Sequence, residues 1–320
     1  PHATHLHGGA SMSQPFPSRL PLSSFALDRD HLGRERPALF DELWANPATR
    51  ILPIFQGSAL LATPDSLALL PVDAVPHFSE RVYLGTSTST TSPEPAGTPI
   101  VAVELDDAGH LAESDWANLR QVGSRLSDRD AGLLTEALGI LNWHTSHRFS
   151  PRTGEPTVSE KGGWVRRDPV SGGEVFPRTD PAIIVGVTDA DDRILLGSNA
   201  LWESNRYSLL AGFVEPGESL ESAVMREVHE ESGLRVVDPV YLGSQPWPFP
   251  ASLMVGFTAR VEDGFTGAAT PDGTEILDLR WFSRAELAMA LDEIRLPGPT
   301  SIARAIVEHW YGSSIDDGQR

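Results

Sequence analysis

The chain has 320 residues, of which 40% are hydrophobic and 22% charged, as in ordinary soluble globular proteins. It contains no apolar run of membrane-spanning length, and its net charge of −19 argues against a broad nucleic-acid-binding surface. The absence of cysteine excludes disulfides, thiolate metal sites and cysteine nucleophiles, and we expect a cytoplasmic protein. Residues 1–11 end just before Met12 and are rich in histidine, which is typical of a vector-derived leader.

The first part of the sequence predicts a β-rich N-terminal domain over residues 12–126. Its strand segments are short and separated by turns rich in Gly, Pro and Ser. These segments are residues 50–62, 81–86 and 99–105. From Ser127 to about His147 apolar residues recur at helical spacing, with Ser127 as the N-cap. This helix and the glycine-rich connector after it occupy residues 127–180.

The pattern changes after Pro181, and we expect a second domain over residues 181–314 followed by a tail at 315–320. The strings AIIVGV and ILLG flank a turn at Asp189–Arg193, which indicates a buried hairpin. Further strands and helices follow without regular βαβ alternation, so the sequence predicts an α+β fold. The strands are predicted at 206–214, 236–243, 252–261 and 275–282, and the helices at 219–232, 283–291 and 300–311.

One predicted helix carries acidic residues where apolar ones belong. Leu220 and Val224 define its core stripe, and the same phase continues to Glu227 and Glu231, with Glu230 beside them. Two carboxylates therefore extend a face that should be buried. An ordinary solvated acidic helix is the alternative interpretation.

The electrostatics of this helix favour a bound cation. Like charges at i, i+4 repel, and carboxylates in a last turn face the negative end of the helix dipole. Three of them on a partly buried face cost on the order of several kcal/mol unless they are protonated or countered. Arg226 can pair with one but not with all. Hard cations with oxygen ligands, Mg²⁺ or Mn²⁺, are the natural partners.

The segment GFVEPGESLESAVMREVHEESGL, residues 212–234, resembles the Nudix box position for position. That box reads Gly, five residues, Glu, seven residues, Arg-Glu, an aliphatic, any residue, Glu-Glu, any residue, Gly, an aliphatic. The matching residues are Gly212, Glu218, Arg226, Glu227, Val228, Glu230, Glu231, Gly233 and Leu234. The resemblance implies a Nudix α/β/α sandwich that binds divalent metals and hydrolyses a nucleoside diphosphate linked to another group.

The resemblance also implies a role for each box residue. Glu227, Glu230 and Glu231 would be the catalytic glutamates and would ligate the metal, together with Glu275 and the backbone carbonyl of Ala211. Four box positions would be structural, and Glu218 and Arg226 among them would be paired with each other. The four positions are Gly212, Glu218, Arg226 and Gly233.

Ten positions after the last box residue begins a second motif, SQPWPFPASLM, residues 244–254. Its alternating prolines stiffen the backbone and present Trp247 and Phe249 as fixed faces, either as a structural loop or as a ligand platform. The string is similar to the SQPWPFPxS signature of the NADH pyrophosphatase (NudC-type) branch of the Nudix hydrolases. The similarity extends over roughly residues 115–310.

That branch implies a reaction, a substrate site and an assembly. We expect hydrolysis of NADH or NAD⁺ to AMP and nicotinamide mononucleotide by metal-activated water, in a homodimer whose N-terminal domain is a decayed Nudix-like domain. Removal of NAD caps from RNA 5′ ends is a rival, and a non-catalytic Nudix-fold binding module is a weaker one, since such modules typically lose box glutamates. The implied substrate contacts are Phe176, Phe213, Gln245, Pro246, Trp247, Pro248, Phe249, Pro250, Ala251, Ser252, Ala303 and Arg120.

The connector departs from the branch. A four-cysteine zinc ribbon is usual there, whereas the matching positions here are Ser150, Thr153, Asp168 and Ser171. Hydroxyls and one carboxylate cannot form a tetrahedral thiolate site, so we expect a degenerate ribbon-like loop without structural zinc. A site formed by His144, His147 and Asp168 is the alternative.

Overall fold

The computed structural model describes residues 13–23, 26–90, 93–203 and 205–318, so the expected leader lies outside the described residues. The chain forms two compact units. The N-terminal unit comprises Ser24–Thr179 and Trp247–Ala251. The C-terminal unit comprises Pro1–Ser23, Asp180–Pro246 and Ser252–Arg320. Within the described ranges, no helix combines the length and the apolar character needed to cross a membrane.

The N-terminal unit is built mainly of strands, which form an eight-stranded and a three-stranded sheet. Its strands are β1 (Leu27–Asp28), β2 (Arg50–Phe55), β3 (Ser58–Thr63), β4 (Ser66–Leu67), β5 (Leu70–Pro71), β6 (Phe78–Ser87), β7 (Pro99–Leu105), β8 (Trp116–Asn118), β9 (Val158–Glu160), β10 (Val165–Arg167) and β11 (Glu174–Val175). Its helices are α1 (Leu39–Ala45), α2 (Leu119–Val122) and α3 (Asp128–Ser146). The larger sheet has the order β1-β6-β7-β2-β3-β4, with β5 on β2 and β8 on β3.

Local sequence explains most of these elements. Ser127 caps α3 by accepting a hydrogen bond from the backbone N–H of Asp130, as predicted. The expected strand over 50–62 is instead the antiparallel pair β2–β3, because Gln56 and Gly57 both take positive φ angles and form a tight turn. Helix α1 was not predicted from the sequence. Its seven residues are too few to display a helical period.

The C-terminal unit is a mixed sheet covered by helices on both faces. Its strands are β12 (Asp180–Thr188), β13 (Ile194–Asn199), β14 (Leu210–Phe213), β15 (Val236–Trp247), β16 (Ser252–Val261) and β17 (Ile276–Phe282). Its helices are α4 (Leu220–Ser232), α5 (Arg284–Ala290) and α6 (Ile302–Tyr311). The order is β15-β16-β12-β13-β17, with β14 on β12, and β12 runs parallel to β16 from Asp180↔Ser252 to Thr188↔Arg260.

Successive side chains of β12 point to opposite faces of the sheet, so they pack in two separate core layers. Ile183 and Val185 pack with the apolar residues of α4, whereas Ile184 packs with α5 and α6. The predicted α+β class and the α/β/α sandwich are therefore confirmed. The predicted capping box of α5 is also present, with Ser283 and Glu286 each bonding the other's backbone N–H.

Both ends of the described chain belong to the C-terminal unit. Phe16 and Leu20 are buried in the core layer that contains α6. The fully buried Gln245 accepts from the N–H of Leu22 at 3.4 Å and donates to the carbonyl of Thr300 at 3.0 Å. Within the expected tail, Ile315 is buried in the same layer, so at least this part of the tail is packed.

Candidate active site

Helix α4 is bounded by the residues that the sequence suggests. Ser219 accepts a hydrogen bond from the N–H of Ser222 at 3.1 Å, and Gly233 ends the helix at φ 71° in the left-handed region. The buried face carries Ala223, Val224 and Val228, and then Glu231. The apolar stripe therefore does end in a buried carboxylate.

Only glycine fits at position 212, because the backbone there lies close to the side chain of Glu227 on α4. Gly212 lies in β14, opposite Ile183 of β12. A Cβ atom at position 212 would lie 2.0 Å from the Cδ atom of Glu227, closer than any real contact. The carboxylate of Glu227 thus lies directly against the β14 backbone.

Arg226 holds three carboxylates and one carbonyl. Its Nε and Nη2 atoms donate to the two oxygens of Glu218 at 2.7 and 2.8 Å. Nη1 donates to Glu227 at 2.8 Å and to the exposed Glu230 at 3.0 Å. Nη2 also donates to the carbonyl of Phe213. This bidentate pairing lowers the pKa of Glu218 to about 2 and raises that of Arg226, so the loop between β14 and α4 is tied to the helix.

Glu231 has no comparable partner. Its side chain is 5% exposed, and burial raises its pKa to about 8, helped by the negative charges of Glu275, Glu227 and Asp272. The N–H of Ala211 opposes this rise only weakly. Burial also raises the pKa of Glu227, against the effect of Arg226. The site therefore holds more negative charge than its own cations balance.

This imbalance fits a divalent cation. Among the described residues, the Oε2 atom of Glu231 is buried and has no hydrogen-bond partner. In the same part of the chain, no three His, Asp or Glu side chains are assembled as a complete metal site. Mg²⁺ commonly binds through one or two carboxylates, with waters and substrate phosphates as its other ligands. The donor set is therefore suited to a cation shared with a phosphate substrate.

Two acidic residues lie just before β17. Glu275, expected as a ligand, is exposed, and its negative charge raises the pKa of Glu231. Asp272 acts in the same direction and was not predicted. The carboxylate of Asp272 accepts the N–H of Ile276 at 2.7 Å and the hydroxyl of Thr274 at 2.7 Å, so it shapes the turn. The string PDGT before a predicted strand was the available signal.

The proline-rich segment is held rigidly in the N-terminal unit. Nδ2 of Asn142, on α3, donates to the carbonyls of Pro248 and Pro250 at 3.0 and 3.1 Å. The rings of Trp247 and Phe249 meet edge to face at 4.9 Å. The guanidinium of Arg120 lies 4.0 Å from the Phe249 ring centre and 5.2 Å from that of Trp247. Arg120 thus contacts the aromatic pair directly.

The remaining predicted substrate residues differ in exposure. Phe176 and Phe213 are 61% and 59% exposed, which is unusual for phenylalanine and leaves both rings accessible. Ala303 is buried in the first turn of α6, and Gln245 is fully buried with its amide engaged as described. Pro246 ends the C-terminal unit's part of β15, Ala251 ends the segment and Ser252 begins β16.

The residues at the predicted ribbon positions are arranged around one carboxylate, that of Asp168. Asp168 is fully buried and accepts the hydroxyls of Thr153 at 2.6 Å and Ser171 at 2.7 Å, together with the backbone N–H groups of Val170 and Ser171. These bonds hold the pKa of Asp168 far below its usual range. Ser150 accepts from the N–H of Thr153. The four predicted ribbon positions thus lie together in a hydrogen-bonded cluster.

The histidines beside the ribbon have other partners. His144 contacts the carbonyl of Gly163 through Nε2 at 2.7 Å and Arg166 through Nδ1 at 2.8 Å. His147 contacts the hydroxyl of Ser146. Because both ring nitrogens of His144 are engaged, the geometry gives no support to the alternative site with His147 and Asp168.

Comparison with known proteins agrees with this site. The NUDIX domain model matches residues 177–303, and the model of the NADH pyrophosphatase-like rudimentary NUDIX domain matches residues 48–143. A protein of Mycobacterium bovis (strain BCG / Pasteur 1173P2), named NAD-capped RNA hydrolase NudC, is 47% identical over 62% of this chain and 66% of its own length. The protein of that name from Stutzerimonas stutzeri (strain A1501) is 38% identical over 66% of this chain and 73% of its own.

Among solved structures, a NUDIX hydrolase from Nitrosomonas europaea is similar with a TM-score of 0.39 and 20% identity, over 52% of this chain and 94% of that one. The match to the mycobacterial relative spans just under two thirds of that protein's length. Together, the box geometry, the two domain models and the Stutzerimonas relative assign the chain: it belongs to the Nudix family, in its NADH pyrophosphatase-like branch.

Proposed function

We propose that this protein hydrolyses the pyrophosphate bond of NADH and NAD⁺, giving AMP and reduced or oxidised nicotinamide mononucleotide. The observation that carries the proposal is the uncompensated carboxylate Glu231, buried at the end of the box helix with an orphaned oxygen. Such a group costs stability in the free protein, and a cation bound with a phosphate substrate removes that cost.

The residues divide the work between positioning and chemistry. Arg226 fixes Glu218, Glu227 and Glu230 in one network, so these carboxylates need no reorganisation when substrate binds. Mg²⁺ or Mn²⁺ would be held by five groups. These are the side chains of Glu227, Glu230, Glu231 and Glu275 and the backbone carbonyl of Ala211. When bound, the cation neutralises pyrophosphate charge and activates a water. One of the box glutamates would accept the proton of the attacking water.

The choice of a dinucleotide substrate is supported by the aromatic segment. Trp247 and Phe249 are held by Asn142 and Arg120 in a fixed arrangement, as a platform for planar rings requires. The exposed Phe176 and Phe213 offer two further faces for a nucleobase or nicotinamide.

The cytoplasmic location and the homodimer remain predictions.

Product analysis tests the reaction. NADH, NAD⁺, ADP-ribose and diadenosine polyphosphates are incubated separately at equal concentration with Mg²⁺ or Mn²⁺, and the products are separated by chromatography. We expect NADH and NAD⁺ to give equimolar AMP and the mononucleotide. Faster cleavage of ADP-ribose or diadenosine polyphosphates than of either dinucleotide would contradict the proposal.

Removal of NAD caps from RNA is a second candidate, because both bacterial relatives are named as NAD-capped RNA hydrolases. The same bond is broken, and the net charge of −19 disfavours only an extended RNA-binding surface. Turnover of free NADH and of an NAD-capped oligonucleotide is compared at matched concentration and two salt concentrations. A higher kcat/KM for the oligonucleotide that falls with salt would favour the second candidate.

Substitution of Trp247 tests the substrate platform. Trp247→Ala should reduce NADH hydrolysis by at least about tenfold more than residual ADP-ribose hydrolysis, because a smaller ligand uses less of the aromatic surface. Tyr241→Ala is the matched control, since Tyr241 is an exposed aromatic residue on the same strand, β15. Equal losses on both substrates would assign Trp247 to packing.

A further inference from the structure

A charged pocket of about 510 Å³ lies wholly within the N-terminal unit. Its walls come from the segment around α1, from β6 and from the β9–β10 connection. Four of the lining side chains are cationic, in a protein whose net charge is −19. These are Arg34, Arg36, Arg81 and Lys161. None of the residues assigned above to the proposed reaction lines this pocket.

Arg34 is the least satisfied of the four. Its guanidinium stacks on the indole of Trp164, with 3.6 Å between the Cζ atom and the ring centre. Within the described ranges, its Nε and Nη2 atoms are buried and have no hydrogen-bond partner. Burial lowers the pKa of Arg34 more than the surrounding carboxylates raise it. Buried guanidinium donors in folded proteins are normally paired, so the positive charge of Arg34 is poorly compensated within the protein.

Arg81 also stacks on aromatic rings. Its guanidinium lies 4.1 Å from the ring centre of Phe40 and 5.1 Å from that of Trp44. Its pKa is also lowered, mainly by burial, and the opposing effect of Asp41 is smaller. No carboxylate among the described residues lies within ion-pair distance of it. Two stacked guanidinium groups thus line one pocket without an anion.

Apart from Asp41, whose charge acts on Arg81, the other charged side chains of the pocket have ion-pair partners. Lys161 pairs with Glu35 at 3.5 Å, and Arg36 pairs with Glu42 at 2.9 Å. Glu160 pairs with Arg167 at 2.8 Å. Its negative charge is therefore partly neutralised and compensates Arg34 and Arg81 less. The unbalanced charge of the pocket is therefore positive and is concentrated on Arg34 and Arg81.

We propose that this pocket binds a phosphate monoester group, of free phosphate or of a mononucleotide, through Arg34 and Arg81. Guanidinium groups match phosphate oxygens in charge and in the fork-like arrangement of their donors. Stacking on Trp164 and Phe40 fixes both groups before binding, which limits the entropy lost when the anion arrives. The pocket volume accommodates a group of this size.

Thermal stability of the full chain, freed of divalent metal, is the readout. The melting temperature is measured against increasing phosphate, with chloride at equal ionic strength as the blank, and then against AMP and adenosine. We expect phosphate and AMP to raise it and adenosine to leave it unchanged, because a ligand that binds only the folded state stabilises that state. A larger effect of AMP identifies the nucleotide as the source, and an equal effect identifies free phosphate.

Arg34→Gln and Arg81→Gln should each weaken phosphate binding by at least about tenfold. Arg206→Gln is the matched control, because Arg206 also lies over an indole ring, that of Trp202, but outside the pocket. If a glutamine variant does not fold, Arg34→Lys and Arg81→Lys keep the charge and replace it in the titration. No stabilisation of the unmodified protein by phosphate or AMP, or equal stabilisation of all variants, would overturn the proposal.

Discussion

Two buried carboxylates in this molecule, Asp168 and Glu231, have opposite hydrogen-bonding environments and opposite pKa shifts. Asp168 in the connector receives two hydroxyl and two backbone donors, and its pKa lies far below the usual range. Glu231 at the end of α4 is nearly as inaccessible, yet one of its oxygens has no partner in the described chain, and burial raises its pKa to about 8.

The difference separates a structural carboxylate from a functional one. Asp168 has four hydrogen-bond donors, all supplied by the connector itself. Glu231 has one oxygen without a partner among the described residues and lies near further negative charge, as the proposed cation site requires. The experiments below test this contrast from its largest expected effect to its smallest.

Glu231→Gln should reduce NADH hydrolysis by at least about 100-fold, the scale of losing a metal ligand or general base. The variant keeps the size of the side chain and removes a carboxyl group whose ionisation burial disfavours, so its melting temperature without metal should hold or rise. Glu221→Gln, at an exposed position in the first turn of the same helix, is the control and should leave turnover unchanged. Early melting with near-normal turnover would show that Glu231 is structural.

Asp168→Ala should have the reverse profile. It leaves two hydroxyls and two N–H groups without their acceptor, so the melting temperature should fall by at least about 4 °C. Chelators should not reproduce this loss if hydrogen bonds alone hold the connector, as we predict. Asp65→Asn, a control at an exposed aspartate bonded to one hydroxyl, should change little. One tightly held zinc per chain, found by elemental analysis, would contradict this account of the connector.

The pH dependence of stability should also differ between the two groups. Glu231 has a raised folded pKa, so between its unfolded value near 4.3 and about 8 only the unfolded state is ionised, and the metal-free protein loses stability as pH rises through this window. Asp168 has a depressed pKa, so its contribution is lost only as pH falls below about 4. In metal-free protein, the stability difference between Glu231→Gln and the unmodified chain should widen from pH 5 to pH 8. A constant difference would refute the shift.

The sequence predicted elements where one local pattern decides the structure. Helix α4 was predicted to within a residue, because Ser219 and Gly233 mark its ends and the apolar stripe lies between them. The carboxylate cluster could be inferred from the same stripe. The orphaned oxygen of Glu231 could not, because its burial depends on β14 and on charges near β17. Nor could the grouping of Trp247–Ala251 with the N-terminal unit, since the donor that holds this segment, Asn142, lies over 100 positions away.

The amide of Gln245 has a consequence for how the chain can be divided. It bonds Leu22 near the start of the described chain and Thr300 near its end, and Phe16 and Leu20 fill the same core layer as α6. A fragment that begins at Asp180 would therefore expose an apolar gap in its own core. During synthesis the segment around Leu22 can complete this core only after the segment around Thr300 has been made, so the C-terminal unit should reach its final packing after the N-terminal unit has been synthesised.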